Sequence, residues 1–239
     1  MPFTFPPHSL AVVIGAQGGI GQALLAQLRT ALPPGAVVGL SRTSTPALDL
    51  KDEPGIAAAA RHVQALCQAQ GCSLRLVVNA TGTLHGRDYA PEKSWAQLDA
   101  THMAEVFAVN TLGPALLMKH FLPLLPQQGK AVFATLSAKV GSIGDNRLGG
   151  WYSYRASKAA LNQLVRTAAI ELRRRQPQAL CIALHPGTVD TGLSAPFAKA
   201  GLEVVTPAQA ATRLLEVMQG LTAEDSGGFF NHDGSALPW

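Results

Sequence analysis

Apolar and polar positions run along this chain in blocks. Leu10-Ala11-Val12-Val13-Ile14, Ala36 to Leu40, Leu74 to Val78, Ala131 to Leu136 and Leu180 to Leu184 are short apolar runs with no polar alternation. That pattern belongs to strands buried on both faces of a parallel sheet. Between them lie stretches with helical spacing: Ile20 to Leu32, Gly55 to Gln70, Thr101 to Leu125, Ala156 to Arg174 and Pro207 to Met218. Pro33-Pro34-Gly35 stops the first and Gly71 the second, while Thr206 is placed to N-cap the last with Pro207 at its first position. Gly228-Phe229-Phe230-Asn231 reads as a closing edge strand, with a turn at Asp233-Gly234. Alternating strands and helices predict an α/β fold: a single-domain, Rossmann-like, doubly wound parallel sheet with helices on both faces, over residues 1–239.

Two intervals depart from that rhythm. Only seven residues separate Ser41 from Asp49, too few for the crossover helix that a parallel pair needs. A third strand there has to be short or reached by a bare loop, with Asp49 at its end. The segment 192–205 has room for a small lid and no more.

Composition narrows the function classes. The chain has 239 residues, 47% hydrophobic and 14% charged, with 23 glycines and 16 prolines, which suits one large globular domain. The net charge of +4 is mild, and the densest basic run, Arg173-Arg174-Arg175, closes a helix, where cations suit the dipole. No nucleic-acid partner is expected. Three cysteines (Cys67, Cys72, Cys181) form no C-x-x-C, and seven histidines form no H-E-x-x-H, so neither a disulfide framework nor a metal site is expected. No apolar run approaches the roughly 18 residues of a membrane span. The expectation is a soluble, cytoplasmic protein.

The candidate chemistry falls at strand ends. Gly15-Ala16-Gln17-Gly18-Gly19-Ile20-Gly21 follows the first strand and opens a helix. Glycines let a backbone approach a pyrophosphate, and the helix N-terminus offers unpaired N–H groups with partial positive charge. The second strand ends in Ser41-Arg42, where an NAD site would carry an acid for the ribose 2′-hydroxyl. Arg42 suits a 2′-phosphate instead, which favours NADP over NAD. Asp49 reads either as an acceptor for the adenine amine or as a surface carboxylate. Asn79-Ala80-Thr81-Gly82 borders the expected crevice or forms a plain turn, and Asn110 sits among apolar neighbours on the long helix, where its amide needs partners. Tyr154 and Lys158 are one helical turn apart on one face. A cation beside a phenol favours phenolate, lowering its pKa toward working pH and fitting it for general acid–base work. Tyr89-x-x-x-Lys93 repeats that spacing, but with Pro91 inside it and no helical run around it.

In combination, Gly15-x-x-x-Gly19-x-Gly21, Asn79-Ala80-x-Gly82, Asn110, Ser137, Tyr154-x-x-x-Lys158 and Pro186-Gly187 resemble the short-chain dehydrogenase/reductase family over essentially the whole chain. The segments Gly141 to Asn146, Gly149 to Lys158 and Asp233 to Trp239 are similar to its C-factor-like and sniffer-type carbonyl reductase branch. The resemblance implies a bound NADP(H), hydride transfer to or from a small or medium apolar carbonyl or alcohol, and catalysis by Tyr154, Lys158, Asn110 and Ser137. It implies that Tyr154 exchanges the proton, Lys158 tunes it and bonds the nicotinamide ribose, Asn110 helps hold a water, and Ser137 bonds the substrate oxygen. Gly15, Gln17, Gly19, Ile20 and Gly21 would hold the pyrophosphate side, and Ser41, Arg42, Asp49 and Leu50 the adenosine side. Pro186, Gly187, Val189 and Thr191 would hold the nicotinamide. The family turn places its serine three residues before a glycine. Counting back from Gly141 lands on Ala138, one residue past Ser137, so Ser137 needs a bulge or a different exit; Ser142 is the competitor. A non-enzymatic dinucleotide sensor or C-factor-like signalling protein is the alternative. The apolar tail with Phe229, Phe230 and Trp239 suggests a homodimer.

Overall fold

The computed structural model describes residues 6–86, 89–194, 197 and 203–239. The five apolar runs form β1 (Ser9–Ile14), β2 (Val37–Leu40), β3 (Ser73–Asn79), β4 (Ala131–Leu136) and β5 (Ala179–His185). They lie parallel in the order β2-β1-β3-β4-β5, and β8 (Phe229–Asn231) adds a sixth parallel strand beside β5. A two-residue pair, β6 (Thr188–Val189) with β7 (Val204–Val205), stands apart from the main sheet.

The uninterrupted hydrophobicity of the central strands has a direct cause: alternate residues feed two separate cores. Leu10, Val12 and Ile14 of β1 join α2 (Glu53–Gln70), α4 (Gly113–Phe121) and α5 (Tyr152–Arg175) on one side. Ala11 and Val13 join α1 (Gly19–Ala31) and α6 (Pro207–Gly220) on the other. Thr206 caps α6 as expected, accepting from Gln209 N at 3.2 Å while Gln209 Oε1 accepts from Thr206 N at 2.9 Å.

Several expectations are corrected. No strand forms between Ser41 and Asp49; the chain runs from β2 through a loop directly into α2. The long helix expected over 101–125 is α3 (Ala100–Phe107), a π-helical turn over Ala108–Leu112 and α4, so Asn110 lies on the π turn. The fifth helix begins at Tyr152 rather than Ala156, which places Tyr154 inside it. Phe229 and Phe230 are buried, one in each core, and Trp239 stacks on Phe229 with ring centroids 6.0 Å apart. The two phenylalanines therefore give no ground for a dimer. Residues 195, 196 and 198–202 of the expected lid over 192–205 lie outside the described residues. No helix among the described residues is long and apolar enough to cross a membrane.

Candidate active site

From β1 the chain steps outward to β2 and then crosses back to β3 on the other flank. Crevices open at such switch points beyond the carboxyl ends of the strands, and the glycine turn lies there. Gly15 takes φ +83°, a conformation that L side chains rarely adopt, and a Cβ on it would meet Ala80 and Thr81 at 3.0–3.1 Å. A Cβ on Gly21 would fall 2.1 Å from the Gly15 carbonyl oxygen. Gly18 caps α1 with no side chain, and no acidic residue stands in its first turn, so the turn presents bare N–H groups to the crevice.

The remaining predicted dinucleotide residues gather around this turn to different degrees. Thr191 packs on it, its Cγ2 2.9 Å from where a Gly19 Cβ would lie, and Ile20 shares a small apolar cluster with Val189. Gln17 donates from Nε2 to Thr43 Oγ1, tying the turn to the end of β2; Thr43 Oγ1 lies 3.4 Å from Ser41 Oγ. Arg42 is exposed and, among the described residues, has no carboxylate partner. Gly187 follows Pro186 with φ +80° and lies against His232. Asp49 is exposed and accepts from Lys51 N at 2.9 Å, while the buried Leu50 side chain seats against Gly113. The Asn79 amide is also engaged: it donates to Thr135 Oγ1 at 2.9 Å and accepts from Thr81 Oγ1 at 2.6 Å, so it braces β3 against β4.

α5 presents Tyr154 and Lys158 together, both buried, with the ammonium nitrogen 5.9 Å from the phenol ring centroid. The expected electrostatics are not what the interior imposes. Burial pushes the Tyr154 phenol above its ordinary value and the Lys158 amine down to about 8. Lys158 Nζ donates to the Leu136 carbonyl at 2.8 Å. It also lies beside Gly82, where an added Cβ would sit 3.5 Å from both Lys158 Nζ and Asn110 Oδ1. Asn110 accepts from Thr83 N and donates to Thr83 O, each at 2.8 Å, and donates to Ser157 Oγ at 3.1 Å. It is therefore a brace between the β3 loop and α5, set close to the lysine by the π turn.

Ser137 is a correction. Along β4, Ala131 and Phe133 face the α5 side, and Ser137 continues that alternation. Its hydroxyl donates to Asn162 Oδ1 at 2.7 Å in the interior. Ala138, one residue on, packs with Tyr154 and Leu84. Ser142, the competitor, is bound to the chain's far end, donating to Trp239 O at 3.2 Å and accepting from Asp145 N at 3.1 Å. Neither hydroxyl joins the phenol.

Sequence reasoning also missed the walls of the site. Trp151 sits in the left-handed region at φ 54° immediately before α5. Its ring meets Tyr154 edge-on at 6.2 Å and Phe197 at 5.3 Å. His85 stands 5.6 Å from Phe197 and hydrogen-bonds the Gly192 carbonyl through Nε2 at 3.1 Å. The phenol thus opens toward aromatic and apolar neighbours. The consecutive Gly149-Gly150 before Trp151 was the legible signal, since three left-handed residues in a row reverse the chain into the helix.

The family model described as short chain dehydrogenase matches residues 9–202. C-signal of Myxococcus xanthus is 38% identical over 144 residues, which cover 59% of this chain and 81% of that protein. The 1-hydroxy-2-glutathionyl-2-methyl-3-butene dehydrogenase of a Rhodococcus species is 32% identical over 240 residues, covering 97% of this chain and all of that one. Among solved structures, NADPH-bound carbonyl reductase from chicken fatty liver superposes with a TM-score of 0.83 at 28% identity, over 97% of this chain and all of that one. Carbonyl reductase Sniffer of D. melanogaster shares the fold with a TM-score of 0.81 at 22% identity, over 96% of this chain and 99% of its own. The chain belongs to the short-chain dehydrogenase family of NAD(P)-dependent oxidoreductases.

Proposed function

We propose that this protein is an NADP(H)-dependent carbonyl reductase or alcohol dehydrogenase acting on a small or medium apolar carbonyl or alcohol. The observation that carries the reading is the buried Tyr154–Lys158 pair on one face of α5, beside a glycine turn with bare N–H groups. A nicotinamide dinucleotide supplies the hydride when bound. The residues present suit one: Gly15, Gly19 and Gly21 let the turn close tightly on itself and on Ala80, Thr81 and Thr191, the first turn of α1 has no side-chain cap, and Arg42 has no carboxylate partner among the described residues where an NAD site would carry an acid. The chicken carbonyl reductase, at 28% identity, is NADPH-bound.

In reduction, the Tyr154 hydroxyl donates its proton to the substrate oxygen. Burial keeps the phenol protonated, which suits a donor. Lys158, held by the Leu136 carbonyl, supplies a positive charge that favours the phenolate left behind. Asn110 and Ser157 fix the helix against the β3 loop. Trp151, Phe197 and Leu84 favour a substrate with an apolar body.

A second reading, a dinucleotide-binding signalling protein, draws on the C-signal relative and on Ser137 and Ser142 both bonding away from the phenol. One experiment separates the two: a carbonyl panel with NADPH and NADH, followed by nicotinamide absorbance, on wild type and Tyr154→Phe. A reductase turns over, prefers NADPH and loses at least about a hundredfold in kcat in the variant while still binding dinucleotide. A signalling protein gives no turnover, and Tyr154→Phe leaves its activity intact.

A further inference from the structure

The helix that carries Tyr154 starts without a cap of its own. Trp151, at its N-cap, is left-handed and has no side-chain bond to the first turn. Uncapped N–H groups in the interior are costly. A carboxylate from another part of the chain meets the need: Ser153 N donates to Glu92 Oε2 at 3.2 Å, and Ser153 Oγ donates to Glu92 Oε1. The Glu92 carbonyl also accepts from Trp151 N at 2.5 Å. Glu92 is 2% exposed, and its one ion-pair partner among the described residues is His102, at 3.6 Å. Acids this deeply buried are rare without a strong partner; here the partner is the positive end of the helix.

Resting on the reductase reading above, we infer that Glu92 is a positioning residue for the reaction. Its carboxylate replaces the missing N-cap of α5 and fixes where the first turn, and with it the Tyr154 phenol, meets the substrate. The same loop reaches the site by a second route: the Tyr89 ring lies against His102, tilted, with centroids 4.0 Å apart, and its hydroxyl lies 2.9 Å from Thr83 Oγ1, next to Asn110. Glu92 therefore joins the catalytic helix to the loop that holds Asn110.

The test compares wild type, Glu92→Ala and Glu92→Gln by steady-state kinetics, dinucleotide titration and amide hydrogen exchange. Glu92→Ala is expected to lower kcat about ten- to a hundredfold, because small displacements of a reacting group cost that much. Dinucleotide affinity should stay within about twofold and exchange at Ser153 should quicken. Glu92→Gln keeps one carbonyl acceptor and should recover part of the rate and of the protection. Unchanged kcat in a folded Glu92→Ala enzyme with quickened exchange would reduce Glu92 to a structural cap and overturn the proposal. Unchanged exchange would overturn the capping itself. A wild-type chain that reduces no carbonyl would instead remove the reductase reading, with the exchange result still deciding whether Glu92 caps the helix.

Discussion

The placement of the β4 exit makes a paired prediction about hydroxyls. Ser137 points into the interior and Ala138 faces the phenol, so Ser137→Ala and Ala138→Ser should act on different properties. Ser137 and Asn162 are both buried, joined by a 2.7 Å bond to Oδ1, and Asn162 Nδ2 has no partner among the described residues. Removing the hydroxyl strands Oδ1 as well, at a cost of about 1–3 kcal/mol in stability. Its effect on kcat should stay within about twofold. Ala138 is extended and caps the short turn Lys139–Gly141 without a side-chain bond. A serine there can accept from that turn while its hydrogen faces a substrate oxygen bound at Tyr154. One neutral hydrogen bond is worth about 0.5–1.5 kcal/mol net, or up to roughly tenfold in rate. Urea unfolding measures the first effect, and initial rates of nicotinamide oxidation with a fixed carbonyl measure the second. Loss of turnover in a Ser137→Ala protein of unchanged stability would refute the orientation argued here, as would an Ala138→Ser enzyme slower than wild type.

Other predictions follow from the same geometry. Arg42→Ala should weaken NADPH binding by about tenfold or more while leaving NADH nearly unchanged, since one charge-assisted bond is worth about 1.5–3 kcal/mol; equal effects on both cofactors, read by fluorescence titration, would remove the 2′-phosphate assignment. His185, at the end of β5, is half-buried, its Nδ1 buried and without a hydrogen-bond partner among the described residues. Burial, then His232 and Lys139, hold its pKa near 4 rather than the usual 6.5. The unfolded chain takes up that proton as pH falls through 6.5 and the native one does so only near 4. Stability should therefore drop by about 3 kcal/mol across this window and level off below it. In His185→Gln this component of the pH dependence should vanish, and an unchanged slope in denaturant unfolding would assign it elsewhere.

What was legible in the sequence follows from which forces are local. Unbroken apolar strands and capped helices are set by near neighbours, and Leu10 to Ile14 or Thr206-Pro207 could be read without coordinates. The glycine turn was legible too, because its requirement is steric: no side chain fits at Gly21. Ser137 was not. Its direction depends on where β4 stops alternating, and one residue of uncertainty exchanges a hydroxyl at the phenol for one at Asn162. Glu92 was not legible either, for it meets α5 across 61 residues of chain, and nothing in its own neighbourhood marks it as a cap.

The phenol shows most plainly what spacing alone leaves out. Tyr154 and Lys158 are one turn apart, as the pattern required, yet proximity was only half of the electrostatics. Desolvation acts on both groups against their charged forms, raising the phenol and bringing the amine to about 8. The lysine is also drawn to the Leu136 carbonyl, and its nitrogen stands 5.9 Å from the ring centroid. A cation that is itself close to losing its proton is a weak depressant for a buried phenol. On the reductase reading proposed above, the pair holds the Tyr154 proton until a carbonyl oxygen arrives to take it in reduction. In that direction the rate should fall as pH rises past about 8, where Lys158 loses the charge that favours the departing proton's phenolate. A rate of reduction that climbs steadily between pH 8 and 10, measured with saturating reduced cofactor, would contradict this assignment of roles.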